Sequence, residues 1–217
     1  IDSSNNLPFT GSTIGLIKGK IIEGKKEGIH SKYYEDGTLL SKINYLNNKP
    51  DGLWIEYYKN GNILSKRNYI DGKLNGESLS YYSIGQLLCR KIYKNNLLHG
   101  EYKEYHVNGQ LREFKTYNNG KLEGAYITYH EYELEKITQI KIKTSYKKGK
   151  LEGDYYHFNE NGILESRGFY KKGKLEGKFT KYSRKGTLRE VINYKNGILI
   201  SSIKVNKNNE DGLNLNP

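Results

Sequence analysis

The chain alternates short apolar runs with short polar punctuation, and the alternation has a fixed period. The stretch "GLWIEYYKNGNILSKRNYIDGKLNG", Gly52 to Gly76, shows one cycle. Two apolar runs are separated by asparagine-glycine, and aspartate-glycine follows the second. Glycine recurs at Gly28, Gly52, Gly76, Gly100 and Gly124 in steps of 24 residues, then at Gly153 after 29 and at Gly177 after 24. A fixed period in this range marks a repeat architecture. Counting each of these glycines as position zero, position five is aromatic seven times: Tyr33, Tyr57, Tyr81, Tyr105, Tyr129, Phe158 and Tyr182. Position two holds Trp54, Tyr102, Tyr126, Tyr155 and Phe179, with His30 and Ser78 as departures. Position eleven is aliphatic and position seventeen is tyrosine in nearly every copy.

This pattern predicts two strands and two turns per repeat. The first strand is expected from position one to about six and the second from about eleven to seventeen. Asp36-Gly37, Asn60-Gly61, Asn108-Gly109 and Asn161-Gly162 at positions eight and nine are hairpin signals, and Asp71-Gly72 and Asn119-Gly120 mark the second turn. No segment keeps a helical period. Alternation places positions eleven, thirteen, fifteen and seventeen on one face of the second strand. The expected fold is all-β: an elongated, single-domain antiparallel β-meander or solenoid of about seven and a half 24-residue hairpin repeats. Residues 1–12 are a flexible leader and 13–27 a half-repeat cap. The seven repeats are 28–51, 52–75, 76–99, 100–123, 124–152 with an insertion, 153–176 and 177–200. Residues 201–217 are a degenerate cap and tail, since a terminal repeat needs a polar outer face.

These residues resemble the MORN repeat, in particular the bacterial variant of YwqK-type proteins, often labelled antitoxins. The shared pattern is Gly-x-aromatic-x-x-Tyr-Tyr-x-Asn-Gly-x-Leu followed by Tyr-x-x-Gly-Lys-Leu-x-Gly, in phase over residues 13–200. The resemblance implies an elongated antiparallel sheet of successive hairpins, a binding role and no catalytic residues. Members of that family have been linked to protein partners, to membrane lipids and, by label, to toxins. A second resemblance, to aromatic- and glycine-rich cell-wall-binding repeats carrying "YY-x-N-G", offers carbohydrate binding as a minor alternative. Those units are shorter and richer in tryptophan than this chain, which has only Trp54.

Composition narrows the chemistry. The 217 residues are 35% hydrophobic, with 21 tyrosines, 24 glycines and no methionine, so tyrosine must supply much of the buried area. A single cysteine, Cys89, excludes an intrachain disulfide and a cysteine zinc cluster. It stands in a column of serine and glutamate and reads as a tolerated small side chain. No run reaches the 18 apolar residues of a membrane helix. The start, "IDSSNNLPFTGS", reads as a processed or trimmed end and favours a secreted or cell-surface location over a cytoplasmic one. His106 and His130 share position six, a tyrosine column in the first three repeats, and read as substitutions in a surface ladder. No catalytic group, metal set or cofactor motif is read, so the chain is expected to be a non-enzyme.

Three features are candidates for binding. The position-two rings Trp54, Tyr102, Tyr126, Tyr155 and Phe179 are expected to be the more exposed aromatic column, with positions five and seventeen as core. The second turns line one edge with lysine, densest at Lys147, Lys148, Lys150, Lys171, Lys172 and Lys174, while Glu123, Glu152 and Glu176 partly neutralise that row. The first-turn edge is expected to be near neutral or acidic. In the fifth repeat "HEYELEKITQ" inserts Glu131, Tyr132, Glu133, Leu134 and Glu135, an acidic tip on that edge. The expected partner is a protein or peptide on a concave aromatic face, with the protein a monomer or weak dimer. The formal charge of +12 supports the alternative, an electrostatic adaptor for anionic lipid or nucleic acid. Nucleic acid is the weaker half, because lysine greatly outnumbers arginine and base readout favours arginine.

Overall fold

The computed structural model describes residues 10–13, 16–131 and 139–205. The chain forms two compact units, Ile1–Gln110 and Leu111–Pro217. In the first, strands β1 (Gly11–Thr13), β2 (Ile17–Ile22), β3 (Lys25–Tyr33), β4 (Leu39–Leu46), β5 (Lys49–Tyr57), β6 (Ile63–Ile70), β7 (Lys73–Tyr81), β8 (Leu87–Lys94) and β9 (Leu97–Tyr105) follow one another. Each pairs antiparallel with the next. The second unit holds β10 (Leu111–Asn118), β11 (Lys121–Tyr129), β12 (Ile140–Lys147), β13 (Lys150–Leu151), β14 (Gly153–Phe158), β15 (Leu164–Lys171), β16 (Lys174–Leu175), β17 (Gly177–Tyr182), β18 (Leu188–Lys195) and β19 (Ile198–Lys204). It is the same antiparallel meander; β13 and β16 are the leading ends of first strands, separated at Glu152 and Glu176 from β14 and β17. The all-β hairpin architecture is as the sequence predicts, and the described residues contain no helix. β1 carries the pairing into Gly11 and Ser12, residues that the sequence assigns to a leader.

The two turns of a repeat differ in type. At the first, the N–H of position six bonds the carbonyl of position ten and the N–H of position nine bonds the carbonyl of position six, as in Tyr34–Thr38 and Gly37–Tyr34. Gly37, at φ +83°, supplies the left-handed residue of this three-residue loop. At the second turn both central residues have positive φ, for example Asp71 at 49° and Gly72 at 77°. That is the two-residue type I′ hairpin, whose twist matches the strands it joins.

The glycine at position zero is not a boundary, as its place in the pattern suggests, but lies inside the first strand. Ile43 pairs Trp54 and Tyr45 pairs Pro50, so Asp51, Gly52 and Leu53 oppose Asn44 alone. This bulge of three residues against one bends the strand and holds Gly52 at φ +94°. The first strand therefore begins three residues before the glycine. Directly paired residues share a face, so positions zero, two and four lie with seventeen, fifteen and thirteen. Position five falls on the opposite face with positions one and three, where the Tyr156 and Phe158 rings stack at 6.3 Å.

The most buried side chains lie mainly in the middle columns: Ser41, Ile43, Ser65 and Cys89 in the first unit, Thr144 and Ile192 in the second. The last strand departs from the rule. Ser201 stands where a glycine belongs, and β19 keeps one extra residue opposite β18 instead of two. The register slips by one, so Ile203 opposes Val191 rather than Ile192 and turns to the other face. The polar outer face expected of this end is not what β19 presents: Ile198, Leu199, Ile200 and Ile203 are exposed.

Candidate functional site: the aromatic ladder and the two turn edges

Four of the position-two rings pack on the position-seventeen tyrosine of their own repeat. Trp54 lies 5.5 Å from Tyr69 in the first unit. In the second, Tyr126 lies 5.5 Å from Tyr146, Tyr155 5.7 Å from Tyr170 and Phe179 6.4 Å from Tyr194. The register makes this possible: position zero pairs directly with the position-seventeen tyrosine, as Gly52 does with Tyr69, so the ring two residues on stands on the same face as that tyrosine. The expectation that position two is the more open column is therefore corrected. Trp54, Tyr102, Tyr126, Tyr155 and Phe179 are half-buried like the rings at positions five and seventeen, and the two exceptions, His30 and Ser78, are buried. Burial, first of all, raises the pKa of Tyr102, Tyr126 and Tyr155 above the ordinary tyrosine value.

The same face carries charged groups that the sequence reading did not single out. In the first unit Arg67 Nη2 lies 2.9 Å from Glu56 Oε2, and its guanidinium sits over the Trp54 ring at 5.9 Å. Ser65 Oγ donates to the same Glu56 carboxylate at 2.8 Å. Tyr102 donates its hydroxyl to Glu104, and Lys91 lies over the Tyr102 ring. In the second unit Lys115 and Glu113 form a 2.8 Å pair, both largely shielded. The aromatic face is thus a ladder of rings beside a ladder of paired charges. The signal in the sequence was the variability of positions four, thirteen and fifteen, which mix charged with uncharged residues.

The lysine edge lies where the sequence places it. Lys147 pairs directly with Lys150 around the turn Lys148-Gly149, and Lys171 with Lys174 around Lys172-Gly173. All six lysines are exposed, and among the described residues none has an ion-pair partner. The glutamates expected to neutralise this row act otherwise. Glu123, Glu152 and Glu176 accept the backbone N–H of Lys148, Lys172 and Asn196, the first residue of the next second turn, at 2.6–2.7 Å. Glu27 and Asp51 do the same for Asn47 and Asp71 in the first unit. Where the residue just before the glycine is acidic, it is therefore a clamp on the neighbouring type I′ turn.

On the first-turn edge, position six ties one repeat to the next. Tyr34, Tyr58 and Tyr82 donate their hydroxyls to the carbonyls of Tyr57, Tyr81 and Tyr105. His130 reaches Phe158 O through Nε2 at 2.9 Å, replacing a tyrosine in kind. The insertion keeps the closing bond of the turn, His130 N to Gln139 O at 3.0 Å. Glu131 is exposed; Tyr132, Glu133, Leu134 and Glu135 lie outside the described residues. The edge is not neutral or acidic throughout, because the seventh repeat turns with Ser183-Arg184-Lys185-Gly186.

The family model of the MORN repeat variant matches residues 26–47, 50–71, 98–119, 151–172 and 175–196, together about half of the chain. Each matched stretch runs from the leucine, proline or lysine two residues before a glycine to the first residue of the second turn. The third repeat, with Ser78 in the aromatic column, and the fifth, with the insertion, fall largely outside them. No curated protein matches the chain.

Proposed function

The chain belongs to the MORN repeat variant family, and from that premise we propose that it is a non-catalytic scaffold that binds a protein or peptide through the face carrying positions two and seventeen. The family is generally non-enzymatic. The observation that carries the reading is the paired aromatic ladder: half-buried rings with polar tips, set beside charges that already have partners. Tyrosine, tryptophan and arginine dominate protein-binding hot spots because they join large contact area to a hydrogen-bonding end. An antitoxin-like role, as in the YwqK-type label, or a surface or effector accessory role is a finer proposal of the same kind, with a protein as the partner. The test uses the intact chain as bait beside a Trp54→Ser/Tyr102→Ser bait, serine being the natural residue of this column at Ser78. A partner retained by the first bait and lost by the folded second supports the reading. Equal retention by both overturns it.

A second reading has its own observation. Two adjacent second turns each close on directly opposed lysines, an arrangement that costs stability unless an anion offsets it. We propose anionic lipid, or less favourably nucleic acid, as the alternative ligand of that edge. Binding that falls by orders of magnitude between about 50 and 200 mM salt selects this alternative.

A further inference from the structure

The aromatic-ladder reading leaves unused a cleft near the first-turn edge of the second unit. Two cavities, of about 250 and 410 Å³, share His157, Glu165 and Arg184. A small residue of β15, Ser166, lines the larger one. Ser166 pairs on one side with His157 and on the other with Lys181. Two residues on, Gly168 has the Phe179 ring laid so closely against it that an added Cβ would stand 2.5 Å from Phe179 Cδ2. Phe179 and Tyr182 line the larger cavity together with Lys181, Arg184 and Arg189.

The charges here are unequally committed. Lys181 Nζ lies 3.0 Å from Glu190, and Glu165 Oε2 faces His157 Nδ1 at 3.4 Å. Arg184 and Arg189 have no ion-pair partner among the described residues. Arg184 occupies a turn held by Asn159, whose side-chain amide donates to the Arg184 carbonyl, so its backbone is positioned while its guanidinium has no ion-pair partner among the described residues. Two uncommitted guanidinium groups on the wall of one cavity, beside aromatic rings, suit a planar carboxylate, which arginine holds through paired N–H bonds.

We propose that this cleft is a subsite for an acidic side chain of a bound peptide. Arg184 and Arg189 hold the Asp or Glu carboxylate, and the adjoining aliphatic part rests on Phe179. The inference rests on the peptide-scaffold reading and adds the chemistry of what the peptide must carry.

The test measures binding of a capped, fluorophore-labelled tetraglutamate to the intact chain, with tetraglutamine, inorganic phosphate and vesicles of anionic phospholipid as the other probes. Tetraglutamate is expected to bind, and tetraglutamine about tenfold or more weaker. Arg184→Gln/Arg189→Gln is expected to weaken tetraglutamate about tenfold, the loss for charge-assisted bonds. Lys42→Gln/Lys143→Gln, which removes the same charge from exposed side chains outside both the cleft and the lysine edge, is expected to leave it within about twofold. Circular dichroism confirms that both double variants fold. Wild-type affinity in the arginine variant overturns the proposal, as does an equal loss in the lysine variant, which marks general charge attraction. Phosphate or vesicles that bind with the same arginine dependence while tetraglutamate does not also overturn it. The bait experiment above reads Trp54 and Tyr102 with the physiological partner. A failed tetraglutamate test beside a successful bait test removes the subsite and leaves the scaffold standing.

Discussion

The hydroxyl of Tyr58 donates to the carbonyl oxygen of Tyr81 across 2.7 Å, binding the first turn of one repeat to the strand end of the next. The same bond recurs from Tyr34 and Tyr82, so position six acts as a rung between repeats. Tyr58→Phe removes the donor and keeps the ring. It is expected to lower stability by about 0.5–1.5 kcal/mol, the net value of one such bond. Tyr58→His is expected to lose less, because His130 makes the equivalent bond to Phe158. Urea denaturation of both variants checks the order; a histidine variant as weak as the phenylalanine one means that the rung is not what the position supplies.

The clamp on the second turns gives a test that separates stability from charge. Glu152 accepts the Lys172 N–H at 2.7 Å. Glu152→Ala is expected to cost about 1 kcal/mol, and Glu152→Gln, which keeps an acceptor, clearly less. Lys172 itself sits at φ +52°, a conformation asparagine adopts far more readily than lysine. Lys172→Asn is therefore expected to raise stability, by up to about 1 kcal/mol, while removing a charge from the basic edge. Melting curves read both effects. A lysine variant that is stabilised but no longer binds anionic vesicles assigns that side chain to the ligand.

Two glycines resist substitution for different reasons. Around Gly52, at φ +94°, a Cβ meets only the Asn44 side chain at 3.5 Å, so Gly52→Ala is expected to cost about 1–2 kcal/mol through the backbone alone. Gly168 has no positive φ, and there the obstacle is the Phe179 ring. Gly168→Ala is expected to be costly in the wild type and much milder in a Phe179→Ala background. A double-mutant cycle measures the difference, and additive losses would mean that the ring is not the obstacle.

Alkaline pH reports on the aromatic face. Burial raises the pKa of Tyr102, Tyr126 and Tyr155. A neutral ring is favoured in the fold, so the contribution of these groups is complete below the ordinary tyrosine pKa of about 10 and is lost as pH rises through the raised folded values. Stability is expected to fall above about pH 10, with these rings forming phenolate later than exposed tyrosines. Tyr126→Phe is expected to shrink both the late phase of the phenolate absorbance and the alkaline loss of stability. An unchanged titration curve would place Tyr126 among the freely ionising rings.

Much of the fold was legible because each repeat obeys one pattern. The period of 24, the hairpin dipeptides and the alternation of the second strand give strand number, order and pairing. The glycine of position zero misled, because a bulge inside a strand and a turn between strands both favour a left-handed residue, and spacing alone does not distinguish them. That error hid the opposition of Gly52 to Tyr69, and with it the shared face on which Trp54 packs against Tyr69. The clamp of Glu152 on Lys172 was also out of reach: a glutamate between lysines suggests an ion pair, and only the register brings it to a backbone N–H of the next turn. The arginine pair at the cleft lies in the repeat whose first turn carries two adjacent basic residues, Arg184 and Lys185, and that was its available signal.

The insertion of the fifth repeat can be tested without knowing its partner. Its ends are held as every other first turn is held. Tyr129 pairs Ile140, as Tyr57 pairs Ile63, and His130 N bonds Gln139 O as Tyr58 N bonds Asn62 O. Replacing residues 130–139 with the five residues "YKNGN" of the second repeat therefore keeps both the strand register and the closing bond. The exchange also puts tyrosine in place of His130, and the Tyr58 hydroxyl shows that tyrosine can make the rung to the next repeat. Loop closure changes by well under ~1 kcal/mol for such a shortening. The variant is expected to melt within about 1 kcal/mol of the wild type, as a surface change does. Its binding to the physiological partner is expected to fall far more if the acidic residues Glu131, Glu133 and Glu135 contact that partner. Melting and affinity are measured on one preparation. A variant that unfolds makes the insertion structural, and one that is stable and binds at full strength removes it from the binding surface.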